Sequence, residues 1–136
     1  MNADFPDAHH RHWQDAEVLF SASRFANADH LYGLSAECGL KHLMNLFGMP
    51  LDKRNRPCVQ DDRVHINKLW SRYEIYQSGR QAANYVLPQT NPFDDWNVSQ
   101  RYAHQNAFDK GRVDSHRKGA GMVRDLMRKV GMEGLQ

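Results

Sequence analysis

Cysteine is scarce in this 136-residue chain: Cys38 and Cys58 are the two, and they form no C-x-x-C pair. Two lone cysteines with no secretory signal ahead of them read as reduced thiols, not as a disulfide frame or a zinc cage. No apolar run approaches the roughly 18 residues that a bilayer span needs. The opening MNADFPDAHH has acids and histidines where a signal peptide has bases and then an apolar stretch. The expectation is a cytoplasmic chain with no membrane partner. A surplus of one charge is missing too, since 18 Lys+Arg against 16 Asp+Glu leaves a formal +2, too mild for a domain that clamps a duplex. There is no internal repeat, no low-complexity tract and no sustained strand alternation. Neither a phosphate loop, G-x-x-x-x-G-K-[ST], nor the G-S-x-x-x-G with paired aspartates of a nucleotidyltransferase occurs. With 40% hydrophobic residues and about one domain's length of chain, residues 1–136 are expected to make a single domain around one modest core.

What is present is helical periodicity. The spacing predicts a first helix from about Asp7 to Arg24, with Trp13, Ala16, Phe20 and Ser23 on one face and Asp7 as its cap behind Pro6. After a break at Phe25–Ala28, a second helix runs from about Asp29 to Phe47 and is ended by Gly48 and Pro50. Residues 50–62 read as a loop. Asp62 is expected to cap a third helix whose face carries Ile66, Leu69, Trp70, Tyr73 and Tyr76, open to a break at Gly79 and a resumption through Ala82–Leu87. Pro88 to Asp95 is a second loop, and a short helix near Trp96 carries Arg101 and Tyr102. The last helix spans about Asp109 to Val130, closed by Gly131, with Val113, His116, Ala120, Val123, Met127 and Val130 as its core stripe. Gly119 and Gly121 inside it permit a close contact or a kink. The fold class is all-α: an antiparallel four-helix bundle with one additional short helix.

Around the second helix, Ala36, Leu40, Leu43 and Phe47 form one apolar arc and Leu31, Leu34 and Cys38 another. A helix apolar on two sides is a central helix. Between the arcs runs a strip of His30, Leu34, Glu37 and Lys41, whose charges must be paired if they are buried. The strip reads either as a Glu37–Lys41 stability pair or as one wall of a polar groove completed by Arg101, Tyr102 and His116. His9 and His12 share a helical face while His10 turns away, which offers a metal two ligands where zinc needs three; no metal and no cofactor are expected. Arg112, Arg117, Lys118, Arg124, Arg128 and Lys129, with Lys53, Arg54 and Arg56, either meet phosphates or make a solvated outer face.

Residues 10–44, HRHWQDAEVLFSASRFANADHLYGLSAECGLKHLM, resemble the first two helices of HEPN-type domains, with Ala36-Glu37 and Leu40-Lys41 matching an A-E-x-x-L-K core. WNVSQRY, from Trp96 to Tyr102, resembles the W…RY element that precedes the last helix of such proteins. The resemblance implies a small helical bundle, a homodimer, and a function directed at a nucleotide or RNA, either as a binding partner of a nucleotidyltransferase or as a metal-independent ribonuclease. The ribonucleases carry R-x(4–6)-H near the last helix. Here Arg101 and His104 are separated by two residues and Arg112 and His116 by three, and the one pair at an allowed spacing is Arg24 and His30.

Three functions stay open. In a binding module, Arg101 and Lys41 would meet phosphate, Tyr102 or Trp96 would stack on a base, and Glu37 and Asp29 would orient the cations. In a toxin-like ribonuclease, His30, His104 or His116 would act as general base, with an arginine such as Arg101 steadying the charge on phosphorus. In a structural bundle, the strip is a buried ion network and nothing more.

Overall fold

The computed structural model describes residues 1–78 and 82–134. Its long elements are the helices α1 (Phe5–Ser21), α2 (Phe25–Leu46), α3 (Ile66–Gln77) and α4 (Lys110–Met132), and no strand occurs among the described residues. The molecule is the expected all-α bundle. Among the described residues, short 3-10 helices at Gln60–Asp62, Val98–Tyr102 and Gln105–Ala107 occupy the connections, where a single short helix was expected.

α1 starts earlier than its apolar pattern. The Asp4 carboxylate accepts the Asp7 N–H at 3.1 Å and so caps the helix, because Pro6 fits a first turn that needs no N–H from it. Ser23 takes a left-handed φ of 59°, so the break falls at residues 22–24, ahead of the expected Phe25–Ala28, and those four residues form the first turn of α2. α2 is the centre: α1, α3 and α4 all pack against it. Its Leu40, Leu43 and Met44 are fully buried, each worth about 1.5–3 kcal/mol. α4 approaches α2 at Gly39, where an added Cβ would lie 2.5 Å from Val123 Cγ1.

Asp62 does not cap α3. His65 stands at the cap position, while the buried Asp62 carboxylate accepts from Arg72 Nη2 at 2.8 Å and from the Tyr76 hydroxyl at 2.5 Å. The expected break at Gly79 lies outside the described residues. Ala82–Leu87 does not resume as a helix: its backbone is used elsewhere, with the Tyr73 hydroxyl donating to the Tyr85 carbonyl at 2.6 Å. α4 is capped by Asp109, whose carboxylate accepts the Arg112 N–H at 2.8 Å, and it runs through Gly131 to Met132. All six residues of its expected core stripe are buried. Gly119 does mark a close contact, although with a loop: an added Cβ would meet Pro92 at 2.7 Å and Phe93 at 2.8 Å. Among the described residues no helix is long and apolar enough to cross a membrane.

Candidate functional site

The polar strip of α2 lies inside the molecule. Glu37 and Lys41 are each 8% exposed, and burial at that depth requires partners for both. Glu37 has two. Lys41 Nζ donates to Oε2 at 3.1 Å from the next turn of α2, and His65 Nδ1 donates to Oε1 at 2.9 Å from the start of α3. Burial alone would raise the Glu37 pKa, but the His65 bond and the Lys41 charge reverse the sign and hold it below the ordinary range. The Glu37 bond in turn raises His65. His65 was not anticipated from the sequence, because its partner is 28 residues away and a lone histidine ahead of an apolar run carries no local signal.

Trp96 builds the neighbouring wall. Its indole lies flat on α2 where residue 33 is glycine; a Cβ there would sit 2.1 Å from the ring. Its Nε1–H donates to the Asp29 carbonyl at 3.1 Å. His30 stacks on the indole at 5.8 Å and 11°, and His65 tilts against it at 6.2 Å. The indole is therefore 1% exposed and has no face left for a base. His30 is half-buried, and its Nδ1 has no hydrogen-bond partner among the described residues. Burial, helped by the charge of Arg101, lowers its pKa, so its neutral form dominates at neutral pH.

Arg101 and Tyr102 close the outer edge. The guanidinium lies over the Tyr102 ring at 4.9 Å, and its charge reaches both His30 and His65. Arg101 is exposed and pairs with no carboxylate among the described residues, and Tyr102 is 79% exposed. The structure thus brings His30, Glu37, Lys41, His65, Trp96 and Arg101 into one neighbourhood. Of the residues expected to meet a ligand, Trp96 is covered on both faces and Lys41 is paired with Glu37, while Tyr102 and Arg101 stay exposed.

Asp29 and His116 stand behind this wall. His116 is 1% exposed and held at both nitrogens, Nδ1 by Asp29 at 2.5 Å and Nε2 by Asp95 at 2.7 Å, with its ring stacked on Phe93 at 5.3 Å. Burial would lower its pKa; the two carboxylates overcome that and raise it, which favours the imidazolium. Both ring nitrogens of His116 are thus engaged by carboxylates, and neither faces an open surface. Asp29 is equally committed, taking Gln100 Nε2 at 2.5 Å on its other oxygen. His104 lies outside, exposed, with Nδ1 accepting the Asn106 N–H at 3.1 Å. The basic residues of α4 are partly neutralised within the molecule: Arg112 by Asp95, Arg117 by Glu17 and Lys118 by Asp114. Among the described residues no group of three or more His, Cys, Asp or Glu is placed to hold a metal ion. No family model, curated protein or solved structure matches the chain.

Proposed function

We propose that this chain is a HEPN-like module that binds a nucleotide or RNA segment at the Arg101 edge of the α2 strip. The observation that carries the reading is Arg101 itself: an exposed guanidinium with no ion-pair carboxylate among the described residues, beside the exposed ring of Tyr102 and close enough for its charge to act on His30 and His65. A planar fork suits phosphate, and an exposed phenol beside it suits a base that needs a stacking surface. The buried Glu37–Lys41–His65 network supports the edge from behind by fixing the histidine that faces it. By the resemblance, the module works as a homodimer with a nucleotidyltransferase partner; the sequence composition puts it in the cytoplasm.

Fluorescence polarisation with a labelled single-stranded RNA and with adenosine nucleotides tests the reading. Arg101→Ala is expected to weaken binding by about tenfold or more, because a hydrogen bond to a charged group is worth roughly 1.5–3 kcal/mol. Equal affinity of wild type and Arg101→Ala overturns it.

One observation favours a second reading, a metal-independent, toxin-like ribonuclease. His30 and His65 flank the same indole with pKa values pushed in opposite directions, down by burial and up by Glu37. A neutral base for the 2′-hydroxyl and a protonated acid for the leaving oxygen are what such cleavage uses. Cleavage of RNA by EDTA-treated protein, lost in both His30→Ala and His65→Ala, is its signature; intact RNA removes it and leaves the binding reading in place.

A further inference from the structure

Beside the buried Glu37 network, the head of α1 and the segment leading into α3 enclose a hollow of about 280 Å³. That is just under the range of about 300–1,000 Å³ of self-contained small-molecule sites, so it fits one unit of a longer ligand. Phe5 and Val64 give it apolar walls, and Lys41, Arg56, Arg63 and His65 bring cations. Among the described residues, none of its lining is a carboxylate.

The cations outnumber the carboxylates that serve them. Lys41 and His65 share Glu37. Lys41 keeps 10% of its side chain exposed, and of its three N–H groups one goes to Glu37, with the ammonium 6.0 Å from the centre of the Phe5 ring. Arg56 takes Asp52 at 3.0 Å, whereas Arg63 reaches the same carboxylate only at 4.0 Å. Arg63 Nε donates to the Pro57 carbonyl at 2.7 Å. That bond anchors a half-exposed side chain and leaves its terminal N–H groups without a hydrogen-bond acceptor among the described residues. His65 links the hollow to the Arg101 edge: it lines the one, and the charges of both Lys41 and Arg101 act on its ring.

A positive groove set with aromatic rings is the form that tracks a single-stranded backbone. We infer that the Arg101 edge continues past His65 into this hollow, and that its ligand is a single-stranded RNA segment of at least two nucleotides. The inference rests on the binding reading of Arg101 and extends it. One nucleotide lies at Arg101 and Tyr102. The next phosphate meets Lys41 and Arg63, and the next base lies against Phe5.

Isothermal titration of the intact protein with adenosine monophosphate and with a tetra-adenylate RNA, at one fixed salt concentration, tests the inference. Wild type is expected to bind the tetranucleotide about tenfold more tightly or better, through a second phosphate contact and a second stacked base. Arg63→Gln is expected to lose about tenfold in affinity for the tetranucleotide and none for the mononucleotide. Asp52 keeps its N–H bonds from Arg54 and Arg56 in that variant, so the loop holds its shape. Arg54→Gln removes the same charge from an exposed position of the same loop, outside the hollow, and is expected to bind both probes as wild type does. Three results overturn the inference: equal affinities of wild type for the two probes, full tetranucleotide binding by Arg63→Gln, or a loss as large in Arg54→Gln. The Arg101 reading then still stands on the weakening of mononucleotide binding by Arg101→Ala. No binding of either probe, or Arg101→Ala equal to wild type with both, overturns the two together.

Discussion

His116 is placed by charge as much as by packing. On α4 it occupies one position of an otherwise apolar stripe, but in space it is an imidazolium clasped between Asp29 and Asp95. Its raised pKa makes the clasp a pH-dependent source of stability. The contribution is complete below the ordinary histidine value of 6.5 and is lost as pH rises through the higher folded value. Asp95, held low by the same histidine against the effect of burial, contributes above its ordinary 3.8 and loses that as pH falls through its lowered value. His116→Ala leaves Asp29 wholly buried without its counter-charge, and a loss of about 3–5 kcal/mol is expected in urea denaturation near pH 6. The same variant is expected to flatten the alkaline limb of the wild-type stability profile. The burial of His116 was legible from helical spacing alone. Its partners were not, because Asp29 is 87 residues away and Asp95 lies 21 residues away in a loop without period.

Elements follow their sequence patterns where one face does the work. The core stripe of α4 and the Ile66, Leu69, Trp70 and Tyr73 face of α3 are buried as their spacing requires. Boundaries were less legible, since aspartates at 4 and 7 both precede the α1 pattern and only the turn geometry selects Asp4. Asp62 shows the same difficulty in stronger form. It looks like a cap, yet a cap needs solvent-side backbone, and this carboxylate is buried under Arg72 and Tyr76 instead. Glycines carried more information than their helical cost alone conveys. Gly33 and Gly39 sit within α2 at the close approaches of Trp96 and of α4, and two glycines inside a central helix were a usable signal of such contacts. In α4 the two glycines separate cleanly. Gly119→Ala is expected to lower stability by about 1–3 kcal/mol, because its Cβ would press on Pro92 and Phe93. Gly121→Ala meets Trp13 at an ordinary 3.9 Å and is expected to raise stability by about 0.5–1 kcal/mol. Denaturant midpoints of the two variants check both signs.

At the scale of the molecule, the helices are joined across the bundle by charge as well as by apolar packing. Glu17 on α1 holds Arg117 of α4 at 2.7 Å, and Glu37 on α2 reaches His65 at the head of α3. Arg117, with Arg112, Lys118 and Arg56, is taken up by carboxylates within the molecule, which is why the basic face could not be read from charge runs alone. Arg101 is among the cations left without an ion-pair carboxylate among the described residues, and the binding proposal rests on its place beside Tyr102. α2 has a different standing, since the three other long helices all lean on it. An outer helix can shed an awkward side chain toward solvent, whereas α2 keeps one part-open stripe, at His30, Leu34, Cys38 and His42. Saturation mutagenesis scored by soluble expression is therefore expected to show residues 28–44 as the least tolerant stretch, relieved at His30, Leu34, Cys38 and His42. The middle of the chain then works as a template on which the flanking helices can drift without changing what they surround.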